Sequence, residues 1–190
     1  MKIKLPLWLR IMYLISGTII LAFALVVFIN MPIGFIDEVL LMGIALLIIG
    51  TTRILNGVFD QRQSKWIRLF NFVIGVLMFP IGVIATVSSL PAFDFFIVSV
   101  ILSLAILLLG IIGIVKGFED KKKVGVYRAG LIFYGFILIG LSFSAIILDS
   151  ILTQQNILVL INTAILILGL RRLMEGILAH KVLKQPKSEN

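Results

Sequence analysis

No cysteine occurs in these 190 residues, histidine appears once, at His180, and charged side chains make up only 14% of the chain. Each shortage excludes something. Without thiols there is no disulfide, no thiolate metal site and no cysteine nucleophile. A single histidine in a polar tail cannot build a histidine metal centre, and it reads as a solvated residue. The chain also lacks G-x-S-x-G, H-E-x-x-H and phosphate-loop patterns. No enzyme activity and no cofactor are therefore expected. Basic residues are missing altogether from three long stretches, 11–52, 69–115 and 129–170.

What fills those stretches is apolar. Hydrophobic residues form 61% of the chain and the mean hydropathy is +1.19. A soluble domain runs near half apolar and about a quarter charged, and one of this length has no core large enough to hide the excess. Lipid must solvate the remainder. Each stretch is about twice the roughly 20 residues that one helix needs to cross the hydrocarbon layer.

Every stretch is also interrupted near its middle by turn formers or clustered polar residues. The breaks are Asn30 to Gly34 followed by Asp37 and Glu38, then Ser88 to Pro91 followed by Asp94, then Asp149 to Asn156. The reading is an all-α polytopic membrane protein with six transmembrane helices, near 11–29, 39–58, 69–87, 95–116, 129–148 and 157–177. Pro80 predicts a kink in the third. Lys2 and Lys4 ahead of Ala22-Phe23-Ala24 imitate a signal peptide. The apolar run continues to Ile29, however, so this segment is read as a mature helix.

Orientation follows from the charges. All 17 Lys and Arg residues fall at the ends of the three stretches: Lys2 to Arg10, Arg53 to Arg68, Lys116 to Arg128, and Arg171 to Lys187. With six spans these ends share one side, and the opposite side carries only Asp37, Glu38, Asp94 and Asp149. The positive-inside rule makes the basic side cytoplasmic, with both termini there, in a plasma or inner membrane. A formal charge of +8 suggests nucleic acid as a partner. Attraction of juxtamembrane Lys and Arg to anionic lipid head groups explains it equally, so nucleic acid is not expected. Trp8 and Trp66 suit the head-group layer, and Arg53 and Arg172 are expected to snorkel to it.

The spans repeat. Arg10-x6-Gly17-x6-Ala24 returns as Arg68-x6-Gly75-x6-Gly82 and as Arg128-x6-Gly135-x6-Ser142. In the even helices Gly43-x6-Gly50-x6-Gly57 returns as Ser103-x6-Gly110-x6-Gly117 and as Asn162-x6-Gly169-x6-Gly176. Three tandem helical hairpin repeats follow, in units of about 8–60, 66–120 and 126–180 within a single membrane domain, with 181–190 a cytoplasmic tail. Spacing by seven keeps these positions on one helix face. Small residues there let backbones approach where lipid gives no hydrophobic drive.

The glycines at 17, 75, 135, 50, 110, 169, 57, 117 and 176 are thus packing residues. Each hairpin is expected to zip along the two stripes, placing Ala24 against Gly43, Gly82 against Ser103, and Ser142 against Asn162. Arg10, Arg68 and Arg128 start their helices at the depth where the even helices end, so they are expected to cap carbonyls left unpaired there. Asn56, Lys116 and Glu175 each precede the last shared glycine and form a candidate polar cluster at the cytoplasmic mouth, where Lys116 can pair with Glu175. Small residues on several faces permit a homo-oligomer or a membrane-protein partner.

The stretches Gly43–Gly57, Ser103–Gly117 and Asn162–Gly176, with Trp66-Ile67-Arg68 leading to Gly75, resemble the HdeD-like family of small bacterial and archaeal acid-resistance membrane proteins. That resemblance implies six spans in hairpin repeats and a stress-linked, non-enzymatic role, with no catalytic residues to carry over. The four outward carboxylates offer a physical link, since carboxylates begin to protonate near about pH 4. The competing reading is a small neutral-solute transporter or channel, with a path beside Asn162, Ser103 and Ser142.

Overall fold

The computed structural model of the chain describes residues 7–29, 35–61, 63–87, 95–119, 125–148 and 151–178. They form α1 (Leu7–Ile29), α2 (Phe35–Phe59), α3 (Lys65–Val87), α4 (Phe95–Glu119), α5 (Gly125–Ile147) and α6 (Gln154–Leu178), and among the described residues there is no strand. Each helix has 23 or 25 residues. At about 1.5 Å per residue that is roughly 34–38 Å, more than the hydrocarbon thickness of about 30 Å. All six are long and apolar enough to span a membrane. This is an integral membrane protein, all-helical and multi-pass.

Most helices begin about one turn before the apolar run that marks them. Hydrogen bonding along a backbone does not stop where the hydrocarbon stops, and the extra turn lies in the polar layer. In the odd helices that turn carries Arg10, Arg68 and Arg128, which becomes important below. Ser64 caps α3, its Oγ accepting from Ile67 N at 3.2 Å. α3 continues through Pro80, which faces outward. Thr51, Thr86 and Thr163 turn their hydroxyls back to the carbonyl four residues earlier, so these hydroxyls are satisfied within their own helices.

The helices close into a ring in chain order, with α6 returning to α1. The even helices lie inward: 56, 56 and 50% of the spans of α2, α4 and α6 are buried, against 33, 33 and 28% for α1, α3 and α5. Ala45, Ile49, Ala105, Leu109, Ala164 and Leu168 belong to one buried cluster at the centre. Large apolar side chains cover the outside, among them Phe72, Phe79, Phe133 and Phe143. Lipid is the fitting solvent for such a surface.

The close pairs differ from the sequence expectation. Zipping falls on α2 with α3, α4 with α5, and α6 with α1, whereas α1 with α2, α3 with α4, and α5 with α6 touch lightly. Accordingly Gly82 lies against Leu47 and Gly43 against Thr86, both between α2 and α3. Ser142 Oγ donates to Ser103 O within the α4/α5 pair. Asn162 Nδ2 donates to Ala24 O at 3.0 Å within the α6/α1 pair. These residues are thus engaged in the α2/α3, α4/α5 and α6/α1 pairs, where the sequence suggests Ala24 with Gly43, Gly82 with Ser103, and Ser142 with Asn162.

The physical reason is geometric. Spacing by seven fixes depth in the membrane, and at each depth an inner helix has two outer neighbours to choose between. The choice goes to the neighbour whose glycine stripe lies on the facing side. In that pairing the middle glycines meet: Gly50 with Gly75, Gly110 with Gly135, and Gly169 with Gly17. A Cβ on Gly75 would stand 2.7 Å from Ile54 N and 2.8 Å from Gly50 O, so the α2/α3 approach requires glycine there.

Candidate functional site

Polar chemistry collects at the end of the ring that carries the basic residues. The outermost layer is a set of helix caps. Arg10 Nε donates to Gly176 O at 3.1 Å, Arg68 Nε to Gly57 O at 3.1 Å, and Arg128 Nε to Gly117 O at 2.9 Å. Arg68 and Arg128 reach one carbonyl further, to Val58 O and Phe118 O. Each guanidinium satisfies carbonyls that an ending helix leaves unpaired and sits at the negative end of the helix dipole. Because Arg10 caps α6 from α1, the cap also ties the two ends of the chain together.

Deeper in, the caps give way to a small pocket of about 10 Å³, room for about one water molecule, lined by Tyr13, Arg53, Asn56, Lys116, Tyr134, Leu168, Arg171, Arg172 and Glu175. Asn56, Lys116 and Glu175, brought forward by their shared place in the repeat, therefore do meet around one space. Glu175 accepts from Arg171, with Arg171 Nε at 3.1 Å and Nη2 at 3.0 Å from Oε1. The Arg171 guanidinium also lies 4.3 Å from the centre of the Tyr134 ring, a cation–π contact.

Arg53 and Arg172 correct the sequence reading. Each is only 5% exposed, so neither snorkels to the membrane surface. Both stand six residues before the end of their helix, about 9 Å inward at the helical rise. Neighbouring side chains hold them there. Arg172 Nη1 donates to Thr52 Oγ1 and, at 3.4 Å, to Ser16 Oγ, while Nη2 donates to Ile49 O at 3.1 Å. It thus bolts α6 to both α1 and α2. Arg53 Nη1 donates to Asn71 Oδ1 at 2.6 Å. Asn71 Nδ2 donates to Gln63 Oε1, and Gln63 Nε2 to the buried Asp60 Oδ2, each at 2.7 Å.

Some polar atoms in this region are left over. Arg53 Nε and Arg171 Nη1 are buried and have no hydrogen-bond acceptor. Sequence reasoning missed the Arg53, Arg171 and Arg172 cluster because each arginine lies near a helix end, where snorkelling is the ordinary expectation. The available signal was Asn71, Ser16 and Thr52, polar residues on helix faces that otherwise hold apolar side chains.

At membrane depth Ser142 Oγ and Asn162 Nδ2 are spent on helix pairing, whereas Ser103 Oγ and Asn162 Oδ1 are buried without a hydrogen-bond partner. Ser103, Ser142 and Asn162 are at most 1% exposed, and the bonds of Ser142 to Ser103 O and of Asn162 to Ala24 O join inner to outer helices. Glu38, read from sequence as an outward-facing carboxylate, is 5% exposed within α2. Asp94, Asp149, His180 and the 181–190 tail lie outside the described residues, as does the Asp37 side chain. Among the described residues no group of His, Asp and Glu is placed to hold a metal ion.

Fold and site together define a six-helix integral membrane protein with a sealed apolar middle and a cationic pocket at its basic end. Set against protein-family models, curated proteins and solved structures, the chain matches none.

Proposed function

We propose that this chain is a non-catalytic, non-conducting membrane protein of the HdeD-like kind. It sits in a plasma or inner membrane with its basic end and both termini in the cytoplasm. It supports survival under acid or envelope stress through contact with lipid or a membrane partner. The observation carrying the non-conducting part is the closed middle of the bundle. Ala45, Ile49, Ala105, Leu109, Ala164 and Leu168 are each at most 2% exposed. A water-filled path would leave its walls accessible, and these are dry. Of the side chains that a neutral solute would have used, Ser142 Oγ and Asn162 Nδ2 donate to carbonyls of the neighbouring helix, and Ser103 is fully buried.

Two measurements test the reading. Proteoliposomes holding the purified chain should leak glycerol and small ions no faster than empty vesicles, and flux proportional to protein content would overturn it. A strain lacking the protein should survive acid challenge less well than the complemented parent. Equal survival removes the acid role and leaves the sealed-bundle part standing. Cytoplasmic placement of the basic end is supported by the one-sided Lys and Arg pattern. The absence of native cysteine lets a single introduced thiol report the side directly.

A further inference from the structure

We propose that the small pocket at the basic end is a binding site for one ordered water molecule. Arg53 Nε, Arg171 Nη1 and Tyr134 Oη hold it, and through them it ties the three close helix pairs together.

The unused polar atoms come first. Among the described residues five buried side-chain atoms have no hydrogen-bond partner: Arg53 Nε, Ser103 Oγ, Tyr134 Oη, Asn162 Oδ1 and Arg171 Nη1. Ser103 and Asn162 do not line the pocket, whereas Arg53, Tyr134 and Arg171 all do. A buried N–H or O–H without a partner has given up its hydration for nothing, so such groups are rare in folded proteins. Three of them around one small space point to an occupant that pairs with all three, and buried water is the usual one.

Space and hydrogen-bonding capacity come second. About 10 Å³ is the room that one water needs, and a larger ligand does not fit it. Arginine N–H groups only donate, whereas a phenol oxygen also accepts. The water oxygen can take Arg53 Nε–H and Arg171 Nη1–H on its two lone pairs and give one hydrogen to Tyr134 Oη. That makes three bonds, the usual number for a buried water. No existing bond is disturbed, since Arg53 holds Asn71 through Nη1 and Arg171 holds Glu175 through Nε and Nη2.

Placement comes third. Arg53 is on α2, Tyr134 on α5 and Arg171 on α6. The three partners thus come one from each close pair, α2/α3, α4/α5 and α6/α1, and between these pairs the helices touch lightly. One water here bonds units that share few contacts of their own. Leu168 lines the same space and belongs to the buried apolar cluster, so the water stands where the polar end meets the sealed middle.

Two measurements on the full chain in detergent test this. An experimental structure at a resolution that shows ordered water should have one solvent peak about 2.7–3.2 Å from all three atoms. An empty space there, or direct bonds from these atoms to protein acceptors, overturns the proposal. So does a peak that gives an anomalous signal once chloride is exchanged for bromide, because the occupant is then a halide. The second measurement is thermal unfolding of Tyr134→Phe, followed by Trp8 and Trp66 fluorescence. In a dry pocket this substitution removes an unpaired buried hydroxyl, and the unfolding temperature should stay or rise. With water bound it removes the water's acceptor, and the unfolding temperature should fall by about 1–6 °C. An unchanged or raised value overturns the proposal even where the peak is present, because such a water ties nothing. Should Tyr134→Phe not fold, the solvent peak in the wild-type chain decides alone.

Discussion

Two alanine substitutions in one helix separate the cost of close backbone approach from everything else. Gly135 and Gly140 both lie inside α5. A Cβ on Gly135 would stand 2.6 Å from Gly110 O and 2.8 Å from Ile114 N, both main-chain atoms of α4, whereas one on Gly140 would meet nothing within 4 Å. Replacing either glycine by alanine gains about 0.8–1.0 kcal/mol of helix propensity. That gain is common to both and cancels in the comparison. What remains is the strain of forcing α4 and α5 apart, about 1–3 kcal/mol for an overpacked contact. Gly140→Ala should therefore be neutral or stabilising by up to about 1 kcal/mol. Gly135→Ala should range from neutral to a loss of about 2 kcal/mol. Thermal unfolding in detergent should show the two variants roughly 2–12 °C apart for a chain of this size, Gly135→Ala the lower. Equal unfolding temperatures, or the reverse order, would refute the helix pairing as well as the magnitude.

The remaining expectations use the same assay. Arg68→Gln should lower stability by about 1–3 kcal/mol through the loss of charge-assisted bonds to Gly57 O and Val58 O, with Arg10→Gln behaving alike across the ring closure. Unchanged unfolding would count against capping. Ser142→Ala removes one bond between α4 and α5 and should cost about 0.6 kcal/mol, the average for interhelical bonds in membranes; a loss above about 2 kcal/mol would mean that the hydroxyl does more than pair helices. Gly113→Arg should be strongly destabilising, because even a Cβ there meets the Tyr134 ring at 3.0 Å. Adding Tyr134→Ser, which frees that room, should restore part of the loss, and strictly additive effects would show that the two positions are not coupled.

How much of this was legible in the sequence differs by direction. Along the membrane normal, nearly everything was. Basic clusters and turn residues mark six spans, and spacing by seven put Arg68 level with Gly57 and Asn56 level with Lys116 and Glu175. Around the ring, little was. Pairing α1 with α6 joins residues as distant as Arg10 and Gly176, and nothing local in either helix records the partner. Hydropathy also underrated the arginines. Position near a helix end suggests an exposed head group, yet Arg53 and Arg172 turn inward because Asn71, Thr52 and Ser16 offer acceptors that lipid lacks. Such partners lie on other helices, so no window of sequence contains the argument.

The pocket owes its shape to one departure from the repeating pattern. Four residues before the last shared glycine stand Arg53 in α2, Gly113 in α4 and Arg172 in α6. Arg53 is held by Asn71 of α3, and Arg172 by Ser16 of α1 together with Thr52 of α2. A third arginine at 113 would crowd a third guanidinium against two others in a region of low dielectric, where like charges repel strongly. Glycine takes that place instead, and the Tyr134 ring of α5 occupies the room. That ring in turn supports Arg171, which is also anchored by Glu175. The α4 contribution of charge moves outward to Lys116, on the pocket wall. Breaking the pattern at one helix thus converts three equivalent contacts into two structural arginines and a lopsided cationic space. A strictly repeated sequence would have filled it.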